Sequence, residues 1–133
     1  MNLNLSFKKP ILKNNKFIEN FFIKKGLKLL VDLSKKNKRS VNQMISDKPY
    51  SPELNDLYNL YQYVLTNKRT TILEFGSGWS TLIFSLALRE VRNKFYKEAR
   101  LLRRNNLFEL IVVENERRFL NITRKRIQKF NKD

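Results

Sequence analysis

The sequence predicts an α/β fold with a short parallel sheet, and three observations carry that reading. "TILEF" (residues 71–75) and "LFELIVVE" (107–114) are apolar, β-branched runs of the length expected for buried strands. Between them, Leu82, Ile83, Leu86, Ala87, Val91 and Phe95 recur at helical spacing. Two of the chain's three glycines, Gly76 and Gly78, stand where the first strand turns into that helix. A strand, a helix and a second strand in that order make a parallel crossover unit.

The remaining elements follow in chain order. Residues 1–16 are polar, basic and interrupted by Pro10, and read as a mobile arm. From Phe17 a helical stripe begins: Phe17, Phe21, Leu29 and Leu33, flanked by Ile18, Phe22 and Leu30. That stripe is expected to pack on a core, with an anionic membrane surface as the alternative. Residues 34–48 read as a basic, polar connection. At "PYSPELNDLYNLYQYVL" a helix start is predicted, with Ser51 as cap, Pro52 at the first helical position and Glu53 in the first turn. Leu54, Leu57, Tyr58, Tyr61, Val64 and Leu65 form its apolar face, and the tyrosines are expected in the core rather than as stacking groups for RNA bases. "NKRT" is a turn, and Asn105 and Asn106 are suited to stopping the long helix. Asn115 is a candidate cap for a last helix striped by Phe119, Thr123, Ile127 and Phe130, before which Glu116 reads as a first-turn acid. Two units result: a basic arm with an amphipathic helix over residues 1–48, and an α/β unit over residues 49–133.

Composition excludes several chemistries. At 133 residues and 41% apolar content, a single domain with its own core is feasible. Cysteine and histidine are both absent, which removes disulfides, thiolate nucleophiles, sulfur metal sites and any imidazole base. No metal site is expected. The amino terminus lacks an apolar core followed by a small-residue cleavage site, and no apolar run approaches the ~18 residues that span a bilayer; a cytoplasmic protein is the default expectation. The net charge is +16. It is uneven: residues 1–48 carry +9, residues 49–88 carry −1 and residues 89–133 carry +8. Such arms attract nucleic acid or another polyanion with strong salt dependence, although solvated helix faces give the same count.

The neutral island holds the candidate site. A strand turning directly into a helix leaves the helix's first N–H groups unpaired at the positive end of its dipole. Gly76 and Gly78 remove the Cβ atoms that would keep a ligand off that backbone. Glu114 closes the neighbouring strand, where an acid can accept the hydroxyls of a ribose. The spacing discriminates among ligands. Thr81 occupies the last position of a Gly-x-Gly-x-x-Gly match, so the dinucleotide fingerprint fails, and no Lys follows Gly78 as a phosphate-binding loop requires.

What remains, Glu74-x-Gly76-x-Gly78, resembles motif I of class I S-adenosylmethionine-dependent methyltransferases. "LEFGSGWST", with "VVEN" and the preceding "PELNDLYNLYQYV", extends the resemblance over roughly residues 49–130. It implies a Rossmann-like, three-layer α-β-α architecture of which this chain holds the first two strands of a partial parallel sheet, preceded by amino-terminal helices. It further implies that Glu74 helps hold the amino-acid end of S-adenosylmethionine, that Gly76, Ser77 and Gly78 form the floor beneath it, that Trp79 and Ser80 line the turn, and that Glu114 binds the ribose hydroxyls. The acceptor-side catalytic residue is unknown. Two departures stand out: Ser80 takes the place of a third glycine, and 36 residues separate Gly78 from Glu114, against ~20 in a compact unit. A long first helix or a basic insertion at residues 92–106 is the expected reason.

Two strands alone leave free edges and a thin core. The resemblance therefore implies a complementary chain, self-association over the sheet edge, or descent from a longer gene. The alternative of another class is a non-enzymatic basic adaptor that binds nucleic acid or another polyanion and keeps the glycine turn as a relic.

Overall fold

The computed structural model describes residues 7–36 and 49–131. They form α1 (Asn15–Lys24), α2 (Lys28–Lys36), α3 (Leu54–Thr66), β1 (Thr71–Phe75), α4 (Trp79–Ala99), β2 (Glu109–Val113) and α5 (Arg117–Asn131). The fold is mixed α/β. β1 and β2 run parallel, with Ile72 opposite Leu110 and Glu74 opposite Val112, and α4 makes the crossover between them.

The single amino-terminal stripe is two helices. Gly26 adopts φ 79°, a left-handed conformation that glycine alone takes without steric cost. Its N–H donates to Ile23 O (3.0 Å) and the Leu27 N–H to Phe22 O (2.9 Å), the bond pair that closes a helix end. The break resets the phase of the stripe. Ile18, Phe22, Leu27, Leu30 and Val31 are buried, while Phe17 and Leu29 are exposed. The expected mobile arm is also tied down where it is described: Phe7 stacks on Tyr63 with centroids 5.0 Å apart, and Lys8 and Asn67 exchange two hydrogen bonds. Residues 1–6 and 37–48, which include most of the predicted basic connection, lie outside the described residues.

α3 begins two residues later than the Ser51–Pro52 signal suggests. Glu53 is the cap residue, extended at φ −108° and ψ 107°, and its side chain makes no capping bond. Its inward face is apolar as predicted: Leu54, Leu57, Tyr58, Tyr61 and Val64 are all buried. The tyrosines are thus core residues, as expected. One cluster joins α1, α2, α3 and α4, with Ile83, Ala87 and Val91 of α4 fully enclosed. Truncating a member such as Phe22 or Ile83 costs about 2–5 kcal/mol by the usual measure of core cavities.

The sheet departs from the expected buried strands and three layers. Ile72 and Leu110 pack against the core, but Leu73 (56% exposed), Phe75 (79%), Ile111 (41%) and Val113 (50%) face away from it. In a pleated pair, alternate residues point to opposite faces, so helices cover one face only and the described residues make two layers. α4 ends at Ala99 with Arg100 as its cap, ahead of Asn105 and Asn106. The long interval before Glu114 is therefore a 21-residue helical segment, kinked at Phe95 (φ −127°, ψ 18°), plus a loop. That loop is pinned beside β1, where the Thr71 hydroxyl donates to Asn106 O and the Phe108 N–H to Thr70 O, both at 2.5 Å. α5 starts two residues beyond Asn115, and Glu116 precedes it rather than entering its first turn. Thr123 of α5 is buried, and Ile127 and Phe130 pack on the core. Among the described residues no helix is long and apolar enough to cross a membrane.

Candidate functional site

The turn after β1 is held by backbone and carboxylate together. Gly76 sits at φ 87°, which favours glycine, and its N–H donates to Val113 O at 2.8 Å. The sheet bonding thus continues one step beyond Phe75 and locks the turn to the end of β2. Glu114 Oε2 then accepts both the N–H of Ser77 (2.8 Å) and its hydroxyl (2.9 Å), while Oε1 accepts the Glu116 N–H (2.9 Å). These donors, the Glu116 N–H foremost and the Ser77 hydroxyl next, hold the Glu114 carboxyl below its ordinary value against a smaller effect of burial.

Gly78 poses a different question. Its φ of 173° is extended backbone open to any residue, and a Cβ there would meet no atom within 4 Å. The chain itself does not require glycine at this position. Thr81 accepts the Gly78 N–H at 3.0 Å, while Gly78 has no side chain with which to cap the first N–H groups of α4. The helix starts at Trp79, one residue before Ser80.

Glu74 lies on the covered face of β1. Its Oε1 accepts the Ser80 hydroxyl at 2.5 Å, and its Oε2 is buried and, with the Thr81 hydroxyl near the carboxyl but not bonded to this oxygen, has no hydrogen-bond partner among the described residues. Burial pushes its carboxyl above the ordinary value, and the hydroxyls of Ser80 and Thr81 offset part of that. An unpaired buried acceptor is costly to the fold.

All seven residues singled out from the sequence, Glu74, Gly76, Ser77, Gly78, Trp79, Ser80 and Glu114, line one cavity of about 590 Å³. Its far walls come from the entry to α3 and from α5. Glu53, Asp56 and Glu116 bring its carboxylates to five, of the 12 acidic residues in the chain. Among the described residues one cation lines it, Arg126, whose guanidinium lies 3.9 Å over the ring of Trp79. Arg126 is partly buried, which lowers its affinity for a proton, and it forms no ion pair among the described residues. Sequence reading missed it. The signal was its place in the series Phe119, Thr123, Arg126, Phe130, the stripe that turns α5 inward.

An acidic cavity in a chain of charge +16 favours a ligand bearing positive charge. Two features bear on a ligand: Glu74 Oε2 is buried with no hydrogen-bond partner among the described residues, and the Gly78 position without a Cβ faces open space. Glu114 is less free than its expected role requires. A carboxylate has about four acceptor positions, and three are used within the loop. Among the described residues no group of three or more acidic side chains is placed to hold a metal ion. No protein-family model, curated protein or solved structure matches the chain.

Proposed function

We propose that the cavity binds S-adenosylmethionine and that the chain is the cofactor-binding portion of a class I methyltransferase. The observation that carries this reading is a buried Glu74 Oε2 without a partner among the described residues and a Gly78 backbone facing open space, both in a cavity whose described lining holds five carboxylates and one cation. Glu74 would take the ligand's ammonium. Ser77 and Gly78 would form the floor, Trp79 and Ser80 the wall, and Glu114 would reach the ribose hydroxyls after yielding one of its bonds to Ser77. The cofactor brings an activated methyl group whose sulfonium is its own leaving group, so the protein's task is alignment. A chain without histidine or cysteine can perform that task. The uncovered face carrying Leu73, Phe75, Ile111 and Val113 would be closed by a complementary chain or a second copy.

Titration of the purified chain with S-adenosylhomocysteine tests the reading, with Glu114→Ala and Glu74→Gln in parallel. Saturable binding that weakens about tenfold or more in both variants is expected. A chain that melts cooperatively yet binds nothing would overturn it. Salt-sensitive binding to a polyanion, lost on substitution of Arg117 and Arg124 and indifferent to Glu114, would then favour the adaptor, for which the exposed basic residues of α5 speak.

A further inference from the structure

Arg126 has no partner of opposite charge among the described residues. Among the described residues lining the cavity it is the one cation beside five carboxylates, yet it pairs with none of them, and its guanidinium carbon lies 3.9 Å from the centre of the Trp79 ring. Stacking on an aromatic face fixes the plane of a guanidinium while leaving its N–H edges free to donate. A partly buried guanidinium held this way meets planar oxyanions bidentately. In the same cavity, Glu74 Oε2 has no hydrogen-bond partner among the described residues. The two unpaired groups carry opposite charge and do not neutralise each other.

We infer that Arg126 is an anion-binding residue of the cavity and receives the carboxylate of a zwitterionic ligand whose ammonium is taken by Glu74. The inference rests on the cofactor reading in assigning that carboxylate to the amino-acid end of the bound nucleoside. Trp79 is then a positioning residue, holding the guanidinium in plane. The assignment gives Arg126 a partner in a cavity whose described lining is rich in carboxylates. A purely cationic ligand would leave Arg126 unsatisfied, and a purely anionic one would leave Glu74 so.

The test varies ligand and protein together. Calorimetric titrations compare S-adenosylhomocysteine with its decarboxylated analogue, which keeps the amine and loses the carboxylate, on the wild-type chain, Arg126→Gln and Arg126→Lys. Wild type is expected to bind the decarboxylated analogue roughly 10- to 100-fold more weakly, the usual effect of removing one partner of a charged hydrogen bond. In Arg126→Gln that preference should collapse to within about threefold, and Arg126→Lys should restore part of it. A preference undiminished in Arg126→Gln, or equal binding of both ligands by wild type, would overturn the inference and leave the cofactor reading standing. If a cooperatively melting wild-type chain binds neither ligand, both fall. The wild-type comparison needs no variant to fold, and a thermal melt of each variant separates lost recognition from lost structure.

Discussion

Glu114 Oε2 accepts two hydrogen bonds from a single residue, the backbone N–H and the hydroxyl of Ser77. The hydroxyl thereby occupies an acceptor position that a ribose hydroxyl would need. Removing it while keeping the backbone bond should free the carboxylate. Ser77→Ala is expected to tighten S-adenosylhomocysteine binding about two- to fivefold and to lower stability by about 1 kcal/mol or less, read by calorimetry and thermal melting. Weaker binding instead would mean that the hydroxyl itself touches the ligand.

The two glycines of the turn should respond in opposite ways. Gly76 has φ 87°, so Gly76→Ala imposes strain of roughly 1 kcal/mol or more on the fold. Gly78 is extended and its Cβ would meet nothing within the chain. Gly78→Ala should therefore leave the melting temperature unchanged or raise it slightly, by up to about 1 kcal/mol of stability. Its effect should fall on the ligand, with S-adenosylhomocysteine affinity reduced about tenfold or more. Equal destabilisation by both substitutions would assign Gly78 a structural role and remove one support of the proposed function.

Most of this was legible in the sequence where local chemistry decides the outcome. β1, α4 and β2 follow from runs of one periodicity bounded by glycine or asparagine, and the seven site residues share one cavity because a strand-to-helix turn and the end of the adjacent strand must meet. Readings failed where tertiary contacts outweigh local signals. Ser51 and Pro52 form a good helix start, yet the helix begins at Leu54, with Pro52 buried ahead of it. The strands look buried because both faces are apolar, but burial depends on whether a second layer exists, and no local pattern reports that. Arg126 was hidden by its type. In a chain with 28 basic residues, only the phase of the α5 stripe distinguishes an inward guanidinium from a solvated one.

Glu74 should trade stability against binding. Its carboxyl is raised by burial, so its protonated form contributes stability that is present below the ordinary value of 4.5 and is lost as pH rises through the elevated folded value. At neutral pH the ionised group is a cost to the free protein. Glu74→Gln is expected to raise the neutral-pH melting temperature by about 2–5 °C, with the gain disappearing as pH falls below 4.5. The same substitution should weaken S-adenosylhomocysteine by about tenfold or more, because the neutral amide no longer attracts an ammonium. A variant that melts lower than wild type would show that Oε2 has a partner in solution and that the unsatisfied acceptor is not the source of the site's affinity.

Glu90 has the opposite titration behaviour and a purely structural part. Its Oε2 accepts Lys25 Nζ at 2.6 Å and the hydroxyl of buried Tyr61, while Oε1 pairs with Lys94 at 2.9 Å. These contacts tie α1, α3 and α4 at one point, and Lys25 also stands over the rings of Phe21 and Tyr61. Burial alone would raise the carboxyl, but the bonds from Lys25, Tyr61 and Lys94 outweigh it and bring it down to about 2. A depressed carboxylate contributes stability that is present above the ordinary value of 4.5 and lost as pH falls toward about 2. Glu90→Gln should therefore cost about 1–3 kcal/mol at neutral pH, and the gap between variant and wild type should close across that window in a series of acid melts. Tyr61→Phe, which keeps both lysines, should cost about 1 kcal/mol and leave most of the acid dependence in place. Neither substitution touches the cavity, so S-adenosylhomocysteine binding at neutral pH should persist in both. Its loss from a folded Glu90→Gln chain would show that the packing of α1, α3 and α4 sets the geometry of the glycine turn.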